Sequence, residues 1–243
     1  MVERAHLEAY RLANGELSRL VQAELEEFFG SLNLARPEAA RDALLGFLPL
    51  LTSQYGDVAA TMAVEFYEEM RAASGARGRF TALTAEAVPV GAVEAKVRYL
   101  AGHLWTPTPE AMLSPLLGSA DKYVKQPGRS TIAANADREG VRWARVPTGS
   151  KTCSFCLVLA SRDAAYSSKR SAGGDGHRYH GACDCQAVRI AKPDDYPEGY
   201  LPDDHYAKYQ QARKAAGSGD IKDIAAAMRR EFPDLVKDGV HTH

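Results

Sequence analysis

Leu7, Tyr10, Leu17, Leu20, Val21, Leu25 and Phe28 recur at steps of three and four residues, the spacing that lines one face of an α-helix. The pattern predicts one amphipathic helix over residues 3–29. Gly15 weakens its middle and Asn14 falls on the apolar stripe, which argues against an uninterrupted coiled coil. A second helix is predicted to open at Arg36–Leu48. Pro37 stands in its first turn, and Glu38 and Asp42 lie near the positive end of its dipole. A third is predicted from Asp57 to Ala73, ending before Ser74 and Gly75. Val90–Trp105 and Thr108–Val124 continue the helical theme, with Thr108 as the expected N-cap of the latter. Nothing before residue 125 has the two-residue alternation of a strand.

The pattern changes after Lys125–Ser130, which contains Pro127 and Gly128. Val141–Pro147 alternates and is rich in β-formers, so a strand is expected there. Thr152–Arg162 reads as a turn passing into a short helix, Ser167–His180 as a glycine-rich loop, and Cys185–Ala191 as a closing strand. A proline-rich connector from Lys192 to Asp204 leads to two short polar helices, roughly 204–216 and 220–231. His241 and His243 belong to a frayed tail. The expected fold is mainly α with a small α+β C-terminal module. Its parts are a helical N-terminal docking domain (1–125), a Cys/His module (126–192), and a connector with a helical tail (193–243).

Composition narrows the class. The chain has 243 residues, 45% hydrophobic and 25% charged, enough for a core in one large or two modest domains. No apolar run approaches the roughly 18 residues of a membrane span. The N-terminal stretch is charged and lacks an apolar signal core, so no secretory export is expected. The net charge of −1 hides an asymmetry: between Lys122 and Lys192, 13 Lys and Arg face five Asp and Glu, a net of +8. Such a basic segment between acidic flanks suits an anionic partner such as DNA, or an acidic surface; it also fits scattered solvated charge. Arg138, Arg142 and Arg145 read as a solvated patch, and Trp143 as core.

All four cysteines fall inside that segment. Cys153 and Cys156 form a C-x2-C hook, which brings two thiolates to one ion from a single turn. His180, Cys183 and Cys185 form a second hook, H-x2-C-x-C, with His177 nearby. Thiolates with an imidazole in a tetrahedral set favour Zn2+ over Mg2+ or Ca2+. The expected ligands are Cys153, Cys156, Cys183 and either His180 or Cys185, around a structural zinc. Two disulfides, or four buried free thiols, are the competing accounts. No H-E-x-x-H or deaminase pattern marks a catalytic zinc.

The order of Cys153, Cys156, an aromatic and glycine-bearing loop, His180, Cys183 and Cys185, then the strand Gln186–Ile190, resembles the C-terminal module of phage Mu F-type minor head proteins. The likeness covers about residues 126–192 and lies nearest the actinobacteriophage branch. Asp184 departs from it, standing where that family often has Arg. The resemblance implies a virion protein acting in head morphogenesis, made in the host cytoplasm and contacting portal, capsid or packaged DNA. A capsid maturation protease is the alternative it brings, and a zinc-stapled nucleic-acid binder is a third. For proteolysis, Ser130, Ser154 and Ser161 are the candidate nucleophiles, with His103, His177 or His180 as base. No local signature such as G-x-S-x-G frames any of them.

Overall fold

The first apolar stripe builds α1 (Arg4–Gly30), which buries Leu7, Tyr10, Leu17, Val21, Leu25 and Phe29 and leaves Leu20 outside. In the computed structural model, residues 4–149, 151–162, 179, 183 and 185–237 are described. Asn14 stays buried on the stripe because its amide donates to the Tyr10 carbonyl at 2.8 Å while its own carbonyl accepts from Ser18. The second and third predicted helices are one: α2 runs unbroken from Pro37 to Ala73, with Pro49 inside it. It returns antiparallel along α1, as Phe28 stacks on Phe47 at one end and Tyr10 on Phe66 at the other. A Tyr55–Glu24 hydrogen bond joins them between.

After α3 (Val90–Leu100) the chain makes two 3-10 turns, Ala101–Trp105 and Pro109–Met112. Thr108 precedes the second turn, but its side chain makes no capping bond. The helix α4 then extends from Leu113 to Glu139, straight through the Pro127–Gly128 pair where the sequence pattern changes. A proline inside a helix removes an amide and crowds the preceding turn. Here its ring is seated against α2. A Cβ on Gly56 would stand 3.1 Å from the Pro127 ring, and one on Gly128 would stand 2.8 Å from the Ala59 carbonyl. Two residues that read as a break are thus where two helices meet most closely. The extended segment before α3 binds α4 as well: Leu83 exchanges hydrogen bonds with the Asn135 amide, and the Ala85 amide donates to Thr131.

Gly140, at φ 73°, ends α4 in a left-handed cap and turns the chain into β1 (Arg142–Val146). β1 pairs antiparallel with β3 (Gln186–Ile190), from Arg142 opposite Ile190 to Val146 opposite Gln186. Between them lie β2 (Thr152–Cys153) and α5 (Ser154–Ala160). The tail forms α6 (Pro202–Ala216), α7 (Ile221–Glu231) and β4 (Val236–Lys237), which pairs parallel with β2. Leu157 and Val158 of α5 share an apolar cluster with Ala212, Ile224, Ala227 and Met228 of α6 and α7. A second cluster joins Leu7, Tyr10, Phe66 and Tyr67 to Ile132, Trp143, Val146 and Val188, so the helices and the small sheet share one core. The described residues are mainly helical, with two small two-stranded pairings, β1 with β3 and β2 with β4. Among the described residues, no helix is long and apolar enough to cross a membrane.

An ion network ties sheet to helices. Arg189 on β3 grips Glu139 at the end of α4 through two bonds of 2.6 and 2.7 Å. Arg71 and Tyr67 of α2 donate to the same carboxylate at 3.0 and 2.6 Å. Arg189 lies 3.5 Å from Asp195, whose other contacts are the amides of Ala191 and Lys192. Burial works to raise the Glu139 pKa, but Arg189, Tyr67 and Arg71 outweigh it and hold the carboxyl below its usual value.

Two expectations follow from this packing. Glu139→Gln takes from Arg189, 2% exposed, the nearer of its two carboxylates and leaves it Asp195 at 3.5 Å, and should cost up to about 3–5 kcal/mol in urea unfolding. Because the folded pKa is depressed, the wild-type carboxylate contributes stability above the unfolded value of about 4.3, lost as pH falls through the folded value. The variant should lack that part of the acid limb. Gly128→Ala should destabilise, since overpacking costs about 1–3 kcal/mol and the obstacle is backbone. Gly118→Ala meets nothing within 4 Å on the same helix and should gain up to about 1 kcal/mol of helix propensity. Equal responses at the two glycines would contradict the close approach.

Candidate metal centre

The first hook is held by the strand-to-helix junction. Cys153 ends β2, fixed when Thr152 donates its amide to the Leu235 carbonyl at 2.9 Å, and it is the N-cap of α5. Its sulfur accepts the Cys156 amide at 3.2 Å, which turns both side chains to the same end of the short helix. Behind this hook, α5 is clamped by α6 and α7. The tail therefore backs the site.

The second hook leads into β3. Cys183 and Cys185 are both buried, and the Cys183 sulfur lies 3.3 Å from that of Cys156. The sulfurs of Cys156, Cys183 and Cys185 all lie within 4.8 Å of one another. Cys153 packs in the same buried cluster, with Tyr179 and the edge of Phe155. All four cysteines are reduced and buried, with no disulfide among them. Hydrogen bonding with Cys153, Cys183 and Cys185, together with burial, pushes the Cys156 thiol well above its usual range. At Cys185 the Cys156 contact works downward, yet Cys183 and burial win and the thiol is raised as well. Thiols this close cannot all ionise unless a cation stands between them.

Two buried arginines complete the surroundings. Arg129 of α4 donates from Nη2 to the carbonyls of Cys183 and Cys185 at 2.8 and 3.2 Å. Its guanidinium carbon is 4.0 Å from the centroid of the Tyr179 ring, and that of Arg145 on β1 is 3.8 Å away. Both guanidinium groups therefore lie within cation–π distance of one ring. Burial works against the Arg145 charge, but Tyr179 and the thiols of Cys185, Cys156 and Cys183 more than offset it and hold its pKa above the ordinary value. Burial likewise pushes the Tyr179 hydroxyl up to about 12.

The structure brings together Cys153, Cys156, Cys183 and Cys185. His177 and His180 lie outside the described residues, as do the loop before Tyr179, Tyr166, Asp184, His241 and His243. Arg145 is not the solvated residue expected: with Arg129 and Arg189 it lies in the interior. These arginines went unread because a charged residue on a strand or helix ordinarily marks the wet face. Trp143 is core, 2% exposed. Of the candidate nucleophiles, Ser154 is buried, Ser161 donates to the Val158 carbonyl, and Ser130 accepts from the Gln126 amide. His103 is exposed on a 3-10 turn. No hydrogen bond joins any of these serines to a histidine among the described residues.

A donor set of closely spaced, reduced thiols fits a soft divalent ion. Zinc at about 2.3 Å from each sulfur in a tetrahedron spaces the sulfurs by roughly 3.8 Å, inside the observed spread. Compared with known proteins, the chain matches one family model, described as VG15 protein, over residues 1–212, which takes in the long helices and the thiol cluster alike. No curated protein and no solved structure matches it.

Burial of four reduced thiols has a direct readout. In native protein freed of metal, a thiol reagent should react slowly with all of them. In denaturant without reductant it should titrate four thiols per chain at once. Fewer than four would mean a disulfide and contradict the geometry.

Proposed function

Because the chain belongs to the VG15 protein family, a family of viral gene products, and is thereby a phage protein, we propose that it is a minor component of the phage head that acts in assembly. The observation that carries this reading is the extent of the family match, which spans the helical bundle and the thiol-bearing module as one unit. The likeness of that module to Mu F-type head proteins supplies the rest. The long helices are the docking elements toward portal or capsid. The thiol cluster holds a structural zinc through Cys156, Cys183, Cys185 and a fourth donor. Such an ion binds only the folded form and adds to its stability, by roughly 10–16 kcal/mol of apparent binding in zinc-finger peptides at neutral pH.

Contact with packaged DNA rests on the cations that remain outside. Among the described residues, Arg129, Arg145 and Arg189 face inward, whereas Arg142, Arg162 and Lys192 are exposed, as is Lys151, which donates to the Pro233 carbonyl. Arg138 is exposed too, but is engaged with the Thr81 carbonyl and Asn135. That reduced set suits weak, sequence-independent binding. No observation favours the protease alternative over assembly.

Quantitative proteomics of purified virions tests the reading. A few copies of this chain per particle, with the major capsid protein processed as usual when Ser154 and Ser161 are replaced by Ala, is the expected result. Complete absence from virions, or processing lost in those variants, would contradict it. Duplex DNA should bind the full chain at low salt and dissociate as salt rises; salt-independent binding, or none, would remove the DNA contact.

A further inference from the structure

The zinc reading leaves one feature of the interior unexplained. A guanidinium 3% exposed, on α4, donates to two carbonyls and a ring face, while its Nε and Nη1 find no hydrogen-bond partner among the described residues. A buried charge of this kind is costly unless an opposite charge lies near it. Among the described residues, the groups around it are the second hook, Tyr179 and the Tyr10 hydroxyl. If the four thiols stay neutral, these described neighbours offer Arg129 dipoles and no anion. If they become thiolates around a divalent ion, the site is anionic and the guanidinium is its counter-charge.

A zinc ion with four thiolates carries two negative charges, and with three thiolates and an imidazole only one. Positive charge placed beside the site therefore favours sulfur over nitrogen at the fourth position. Cys153 is the remaining cysteine: buried in the same cluster, its Sγ accepting the Cys156 amide, just outside the set of three sulfurs that lie within 4.8 Å of one another. An amide donating to a ligand sulfur is the same kind of support from outside the ligand shell that a carbonyl or carboxylate gives a ligating histidine.

Resting on the zinc reading above, we infer that Arg129 and Arg145, stacked on Tyr179, are positioning residues that hold the second hook and stabilise its thiolates. We infer also that they favour an all-sulfur site in which Cys153 is the fourth ligand. Arg129 fixes the carbonyls on either side of residue 184, so Cys183 and Cys185 are presented together. Arg145 lies 3.8 Å from the centroid of the same ring and adds its charge near the thiols.

X-ray absorption at the zinc edge, on the full chain loaded with one equivalent of zinc, reads the ligand set directly. Four sulfurs at about 2.3 Å are expected; three sulfurs with one nitrogen at about 2.0–2.1 Å would overturn the inference and leave the zinc reading intact. A chain that takes up no zinc would overturn both. Competition with a chelator then tests the arginine. Arg129→Gln should weaken zinc binding about 10- to 100-fold, the usual effect of losing such a supporting group. Arg129→Lys, which keeps the charge but not the fork, should recover part of that loss. Equal losses in the two variants would mean a packing role and overturn the counter-charge argument, as would unchanged affinity in both. Circular dichroism of the zinc-free variants reports folding separately. The wild-type spectrum needs no variant, so the ligand set stays testable even where a substitution prevents folding.

Discussion

The contact between Gly128 and the Ala59 carbonyl is the constraint on which the rest of the structure leans. With no side chain at Gly128, α4 lies directly on α2, and the Pro127 ring fills the space that Gly56 leaves opposite. The next residue along α4 is Arg129, which grips the carbonyls of Cys183 and Cys185. Two consecutive residues thus face two different partners. One fixes the height of α4 above the helical bundle, and the other carries that position to the thiol cluster. The Tyr10 hydroxyl, from α1, reaches the same point, 3.2 Å from where a Gly128 Cβ would stand, and burial pushes its pKa up to about 12. All three long helices converge where the thiol module begins.

A second tie lies one helix end away. Glu139 closes α4 and receives Arg189, Arg71 and Tyr67, so β3 is attached to both α2 and α4 through one carboxylate. The cluster of Cys183 and Cys185 is continuous with β3, and the hook of Cys153 and Cys156 is backed by the tail helices. The site is therefore framed from three sides by elements far apart in sequence. This explains the charge asymmetry in physical terms. Part of the excess of arginine in the middle of the chain serves interior groups, the Glu139 and Asp195 carboxylates and the carbonyls of Cys183 and Cys185, rather than an outer surface.

Much of the fold was legible because it follows from period and capping. The stripe of α1, the strands at Val141–Pro147 and Cys185–Ala191, and the two tail helices are read from spacing alone. What was not legible depends on tertiary packing. Pro49 and the Pro127–Gly128 pair look like helix breaks, yet α2 and α4 run through them, and at Pro127–Gly128 the close approach of the two helices accounts for it. At the site, the gathering of the four cysteines is visible in the sequence. The stack of Arg129, Tyr179 and Arg145 is not, since nothing in a lone arginine distinguishes one that faces a thiol from one that faces water.

The central claim is that α4 couples the thiol site to the helical bundle, and hydrogen–deuterium exchange with and without zinc tests it most directly. Zinc should slow exchange in α5, in β3 and in the half of α4 that follows Gln126, while α1 from Leu12 to Gly30 stays unchanged. Protection confined to the two cysteine hooks, with α4 indifferent to metal, would contradict the account.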